Sequence, residues 1–380
     1  MTDKQSAGET TPPSATAAQT ASATAISSNA QADAALPPAR WLHRWAVVII
    51  ALTWPLIWVG GQVTTYDAGM AVPDWPGTYG YNLFLYPYQT WLFGPFDLFI
   101  EHGHRLLGAL VGIVSIVAVG FAWMTEPRRW VRWLSVAILI AISAQGALGG
   151  ARVLLSDRTL AMLHGCSAPL VFSLGVALVV VTSRWWWAEG RATSVFLPSK
   201  PLLAVVAALA GCSYLQVLLG AQLRHLQPTA SPTGFSHLVT THIATAVIVL
   251  VLAALVSWRL WRGRASQPVA VADADARSDR EKPGDCGDLT LSRPAYLLLT
   301  FVVLQISLGL ATWAARYGVP PFAQIGPKTA SFLVQSQAFA QSLIITGHVA
   351  VGSLVLVTSV YLLLRLLRAR YTRRRIAVSP

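Results

Sequence analysis

Four histidines, His104, His164, His242 and His348, each stand near the start of a long apolar segment with little other polar company. Ionisable side chains are costly inside a bilayer, so their recurrence at matching positions marks them for function. Two imidazoles facing each other from neighbouring helices are an axial ligand set for haem iron. Zinc is the competing metal, but the sequence offers neither a third ligand per site nor the carboxylate or thiolate company that zinc usually keeps. The residues point to a haem protein of the membrane. His43 and His225 read instead as interfacial residues at helix ends, and His102 and His237 fall on other helix faces than their neighbours His104 and His242.

The run Glu101-His102-Gly103-His104-Arg105 adds a carboxylate. Glu101 and His104 are three positions apart, so on a helix they share a face. A purely structural Glu101 would pair with Arg105 or favour a helix N-terminus. A functional one would be a partly desolvated carboxylate beside a haem edge, able to accept or relay protons. The functional reading is preferred, because only the first of the four histidine segments carries a carboxylate.

These residues need helices to hold them at one depth. The chain has 380 residues, 54% of them hydrophobic and only 12% charged, with a mean hydropathy of +0.53. Eight stretches, over 46–63, 103–124, 131–151, 161–183, 202–223, 238–261, 294–315 and 342–366, are long enough to cross a bilayer as helix. They lack the alternation of a membrane barrel, so the expected fold is an all-α integral membrane protein. The third, fifth and seventh stretches share a Gln and a Gly four apart: Gln145 and Gly149, Gln216 and Gly220, Gln305 and Gly309. Small residues permit close helix approach, and a Gln in lipid needs a partner. With a histidine in every even stretch, the pattern predicts two duplicated four-helix bundles.

Charge placement sets the orientation. The net charge is +12, yet among the 28 Lys and Arg only Arg105, Arg152, Arg158, Arg224, Arg316 and Lys328 fall at the helix ends opposite the rest. The positive-inside rule then puts both termini in the cytoplasm and the four histidines near the outer face. Nothing in this arrangement would present the basic residues to nucleic acid. Residues 1–40 read as a disordered cytoplasmic arm, 41–190 and 191–366 as the two halves, and 367–380 as a basic cytoplasmic tail. Residues 262–293 read as a cytoplasmic loop. The arm lacks the features of secretory and mitochondrial leaders, which favours a bacterial cytoplasmic membrane. Cys166, Cys212 and Cys286 form no metal motif.

The outer loop 64–100 has no basic residue and ten aromatic ones from Trp75 to Phe99. It is expected to cap the outer site, with a short amphipathic helix around 88–100. Arg152, Arg158, Arg224 and Arg316 lie at a depth suited to carboxylate pairing, or to ordinary snorkelling.

The stretch Gly60-Gly61 to Gly69, then Val72-Pro73-Asp74-Trp75-Pro76 and Glu101-x-x-His104-Arg105, resembles the haem A synthase family over residues 41–366. The resemblance implies eight helices in two halves, and oxidation of the C8 methyl of haem O to a formyl by successive hydroxylations. It further implies a haem b cofactor on His242 and His348, a haem O substrate site at His104 and His164, and Glu101 as the catalytic carboxylate. Haem O and haem A would be its small-molecule partners. Haem O synthase, cytochrome oxidase assembly proteins, membrane lipid and a second copy of the chain are the other expected partners. Thr64 and Tyr66 stand where the family commonly has Arg and then Thr, and the outer loops 64–100 and 225–237 contain no cysteine, so no disulfide forms there. Two other classes use the same histidines: a b-type di-haem cytochrome passing electrons from quinol, and a haem-holding assembly protein.

Overall fold

The computed structural model describes residues 40–189, 198–226, 229–265, 289–317 and 339–378. Eight long helices dominate them: α1 (Arg40–Thr65), α2 (Phe96–Thr125), α3 (Arg129–Leu154), α4 (Arg158–Thr182), α5 (Lys200–Arg224), α6 (Pro232–Ala265), α7 (Leu289–Tyr317) and α8 (Phe339–Val378). All eight are long and apolar enough to cross a membrane, and the protein is an all-α, multi-pass membrane protein. Each begins before its apolar stretch, because capping residues and flanking charges lie outside the hydropathic run. Asp157 accepts from the Leu160 N–H, and Ser199 accepts from the Leu202 N–H. These caps satisfy helix-end donors that would otherwise be orphaned.

Several hydroxyls inside the apolar helices are satisfied locally. Thr53, Ser173, Ser213 and Ser359 each donate to the carbonyl one turn earlier, which removes the cost of an unpaired donor in lipid. Leu42, Ala46, Val114, Ile138 and Leu178 pack one core among α1–α4. Leu209, Val256, Leu298 and Leu362 pack another among α5–α8. A third cluster, with Phe172, Val176 and Val357 at its centre, joins α4 and α8, and Trp54 of α1 packs against it. That seam makes α8 the most buried of the eight spans.

Residues 88–100 do not form one amphipathic helix. Tyr88–Leu92 makes a short helix, and α2 already begins at Phe96. Gly94 and Pro95 separate them, since proline lacks a backbone donor and disfavours helix in the residue before it. At the other end, α8 continues as helix through the basic tail to Val378. The arm before residue 40, most of the loop 262–293, Cys286 and Lys328 lie outside the described residues.

Candidate functional site

His104, His164, His242 and His348 are the ninth, seventh, eleventh and tenth residues of their helices. At 1.5 Å per residue they sit roughly 9–15 Å from the helix starts, a narrow band of depth. The packing brings His104 to His164, with ring centroids 6.4 Å apart, and His242 to His348, at 6.3 Å. The rings are close to perpendicular, at 88° and 72°. Each imidazole nitrogen lies about 1.2 Å from its ring centre and about 2 Å from a bound metal, so two imidazoles on opposite sides of one iron stand about 6.4 Å apart. Both pairs meet that spacing.

The ring atoms also fit ligation. Nδ1 of His348 faces the Gln305 carbonyl at 3.1 Å. A carbonyl only accepts, so the proton is on Nδ1 and Nε2 carries the lone pair, which the Gln305 side-chain amide nitrogen approaches at 3.5 Å. Nδ1 of His242 is buried without a hydrogen-bond partner, while the Leu56 and Gln145 backbones stand beside the rings of His104 and His164. All four residues nevertheless keep intermediate exposure. The Cε1 atoms pack on Gly60, Gly149, Gly220 and Gly309.

The recurring spacing of Gln and Gly resolves into contacts across helix pairs. Gln145 donates to Ser167 Oγ at 2.6 Å, and Gln216 to the His242 carbonyl at 2.7 Å. The Gln305 amide nitrogen lies 3.5 Å from His348 Nε2. Each glutamine therefore ties an odd helix to the histidine turn of the next.

Glu101 is 1% exposed and held between two guanidinium groups, Arg105 at 3.0 Å and Arg152 at 3.4 Å. Arg152, in the last turn of α3, is also within electrostatic range of His104 and His164. On a helix advancing about 100° per residue, Glu101 falls between His104 on one side and Arg105 and His102 on the other. The carboxylate thus stands where the imidazole pair meets the outer loop.

Arg105 anchors that loop. Its Nη1 donates to the carbonyls of Asp74 and Gly77, and Nη2 to that of Val72. His102, 1% exposed, bonds Thr78 Oγ1 at 3.0 Å and lies between the rings of Tyr86 and Trp91. Sequence reasoning assigned neither residue this anchoring role; their three-residue spacing on one helix face, opposite an aromatic loop, was the available signal. Within the loop, Asp74 accepts from the N–H groups of Tyr79 and Gly80, both at positive φ. Desolvation works to raise the Asp74 carboxyl, but those donors and the Arg105 charge outweigh it and hold it below its usual range.

The other basic residues separate by environment. Arg224 Nη2 donates to the Gly61 carbonyl and Thr65 Oγ1, both at 2.7 Å, and so closes the end of α1. His225, just past α5, is pushed down to about 4 by burial, then by Arg224, Arg152 and Arg158. Tyr66 accepts from Ser342 Oγ, and Thr64 donates to the Gly60 carbonyl.

Residues 43–235 match the cytochrome oxidase assembly protein family, COX15-CtaA. The chain belongs to this family. Similar proteins include the Heme A synthase of Maricaulis maris, 30% identical over 209 residues, or 48% of this chain and 60% of that protein. Those of Symbiobacterium thermophilum (28% identical, 51% of this chain and 61% of the relative) and Shouchella clausii (29%, 46% and 56%) are comparable. The chain spans about three-fifths of the length of the curated relatives it matches. The family segment holds Glu101, His104 and His164, whereas His242 and His348 lie beyond it. The second imidazole pair therefore rests on its own geometry.

Proposed function

We propose that this protein is a haem A synthase, converting the C8 methyl of haem O to a formyl by successive hydroxylations and loss of water. The observation that carries the reading is two imidazole pairs with the spacing of haem ligands and, among the described residues, a buried carboxylate beside the first pair alone. On this reading His104 and His164 bind haem O, and His242 and His348 hold haem b. Bound haem supplies the electron-transfer chemistry that oxidation of an unactivated methyl demands.

The chain's own residues do the rest. The imidazoles fix the porphyrin against the helix ends, and the loop pinned by Arg105 and His102 keeps bulk water from its edge. Glu101 Oε2 is the acceptor for the proton released when water adds its oxygen to the oxidised methyl carbon. Its contact to Arg152 is longer than that of Oε1 to Arg105, so Oε2 is the less committed oxygen. Arg152, beside the first imidazole pair, has donor capacity left for a propionate.

The recurrence of the glycine–imidazole contact in all four helix pairs supports an origin of the two halves by duplication. The charge pattern supports cytoplasmic termini and an outward-facing site in a bacterial inner membrane.

The test is extraction of pigments from cells expressing this chain with a haem O synthase. Formation of haem A is expected. A bis-imidazole spectrum with haem O unchanged would overturn the proposal in favour of an electron-passing b-type cytochrome.

A further inference from the structure

Each of the four histidines packs on a glycine of the preceding long helix, and the contacts are not equal. A Cβ added to Gly60 would meet His104 Cε1 at 2.8 Å, and one on Gly149 would meet His164 Cε1 at 3.1 Å. At Gly309 the distance to His348 Cε1 is 3.0 Å, and at Gly220 the distance to His242 Cε1 is 3.5 Å. At Gly60, Gly149 and Gly309 the three nearest atoms all belong to that one imidazole. At Gly220 the imidazole carbon has no rival within the same range. The glycines therefore face the rings rather than a neighbouring backbone.

We propose that Gly60, Gly149 and Gly309 are positioning residues, whose missing side chains decide where the imidazoles of His104, His164 and His348 stand. Gly220, by the same measure, is a tolerant position. The inference rests on the reading of the pairs as haem ligands and extends it to residues that touch no haem.

The magnitudes favour coordination over folding as the property at stake. Carbon atoms pack at about 3.5 Å, so alanine would force a ring back by about 0.7 Å at Gly60 and about 0.5 Å at Gly309, with nothing required at Gly220. An imidazole can swing that far on its two side-chain torsions without moving a helix. Metal–ligand distances, however, hold to about 0.2 Å. A displacement that the fold absorbs is one that the metal bond does not.

Full-length protein purified from membranes with its haem provides the test. Wild type is expected to show a low-spin bis-imidazole spectrum. Gly309→Ala should lower that signal by about fivefold or more, and added free imidazole should restore it by taking the place of the displaced ring. Gly220→Ala, acting on the other ligand of the same pair, should keep the wild-type spectrum. Full retention in Gly309→Ala, or equal loss in the two variants, overturns the inference. Gly60→Ala and Gly149→Ala act on the first pair, so the haem b spectrum of the second reports their folding. Both should keep that spectrum and retain less haem O on purification, Gly60→Ala less than Gly149→Ala. Unchanged haem O retention in both would also overturn the inference. A wild type with no bis-imidazole spectrum would sink the haem assignment itself; a wild type with the spectrum but no order among the variants sinks only the glycine inference.

Discussion

Arg105→Ala is the substitution that tests whether the outer loop is held by the helix beneath it. The guanidinium is 8% exposed and serves three loop carbonyls, of Val72, Asp74 and Gly77, besides its pairing with Glu101. Hydrogen bonds to a charged group contribute roughly 1.5–3 kcal/mol each, and three of them sum to about 4–5 kcal/mol even at the low end. Released carbonyls regain water, so the net cost of loop opening should fall by about 2–3 kcal/mol, or roughly 30–150-fold in the opening equilibrium. Amide hydrogen exchange on peptides covering 72–81 reads this directly, and protection there should drop by that factor while α5–α8 stay unchanged. Arg105→Lys keeps the charge beside Glu101 but lacks the fork that reaches several carbonyls. It should show most of the same loosening. Unaltered protection in Arg105→Ala, or complete rescue by lysine, would refute the anchoring role and leave Arg105 only the partner of Glu101.

Glu101→Gln keeps the shape and hydrogen-bonding capacity of the side chain but removes its titratable charge; haem A formation should fall about a hundredfold, the scale of one lost acid–base group, with haem b content retained. Unchanged haem A output would remove Glu101 from the chemistry. Replacing either His242 or His348 with alanine should abolish most of the low-spin spectrum, and its survival in both would displace the haem b assignment. His225 titrates at about 4 in the fold against 6.5 when unfolded. The unfolded chain therefore binds the extra proton between these values, and stability present above pH 6.5 is lost as the pH falls towards 4. His225→Gln should flatten the dependence of the melting temperature on pH across that window; an identical slope in the variant would contradict the assignment.

The eight helices were legible in the chain because a membrane span is a local property: about twenty apolar residues that must satisfy their own backbone. Glu101, His104, His164, His242 and His348 stood out for a related reason, since polar groups in such runs are rare and these recur in register. The ends of the helices were less legible. Caps such as Asp157 and breakers such as Pro95 act through single residues, not through a run. What each polar group faces was decided by tertiary structure. The same five residues, 101–105, send Glu101 to Arg152 on α3, His102 to Thr78 in the loop and Arg105 to three loop carbonyls. Helical periodicity places those side chains around an axis but does not say which neighbour stands in each direction. Arg224 reaches the Gly61 carbonyl across 163 residues of chain, a contact that no spacing rule could announce. The glycines carry the same lesson: one sequence pattern, Gln and Gly four apart, covers both the tight seat at Gly309 and the loose one at Gly220. The difference of half an ångström between them comes from how two helices pack, and only the folded chain determines it.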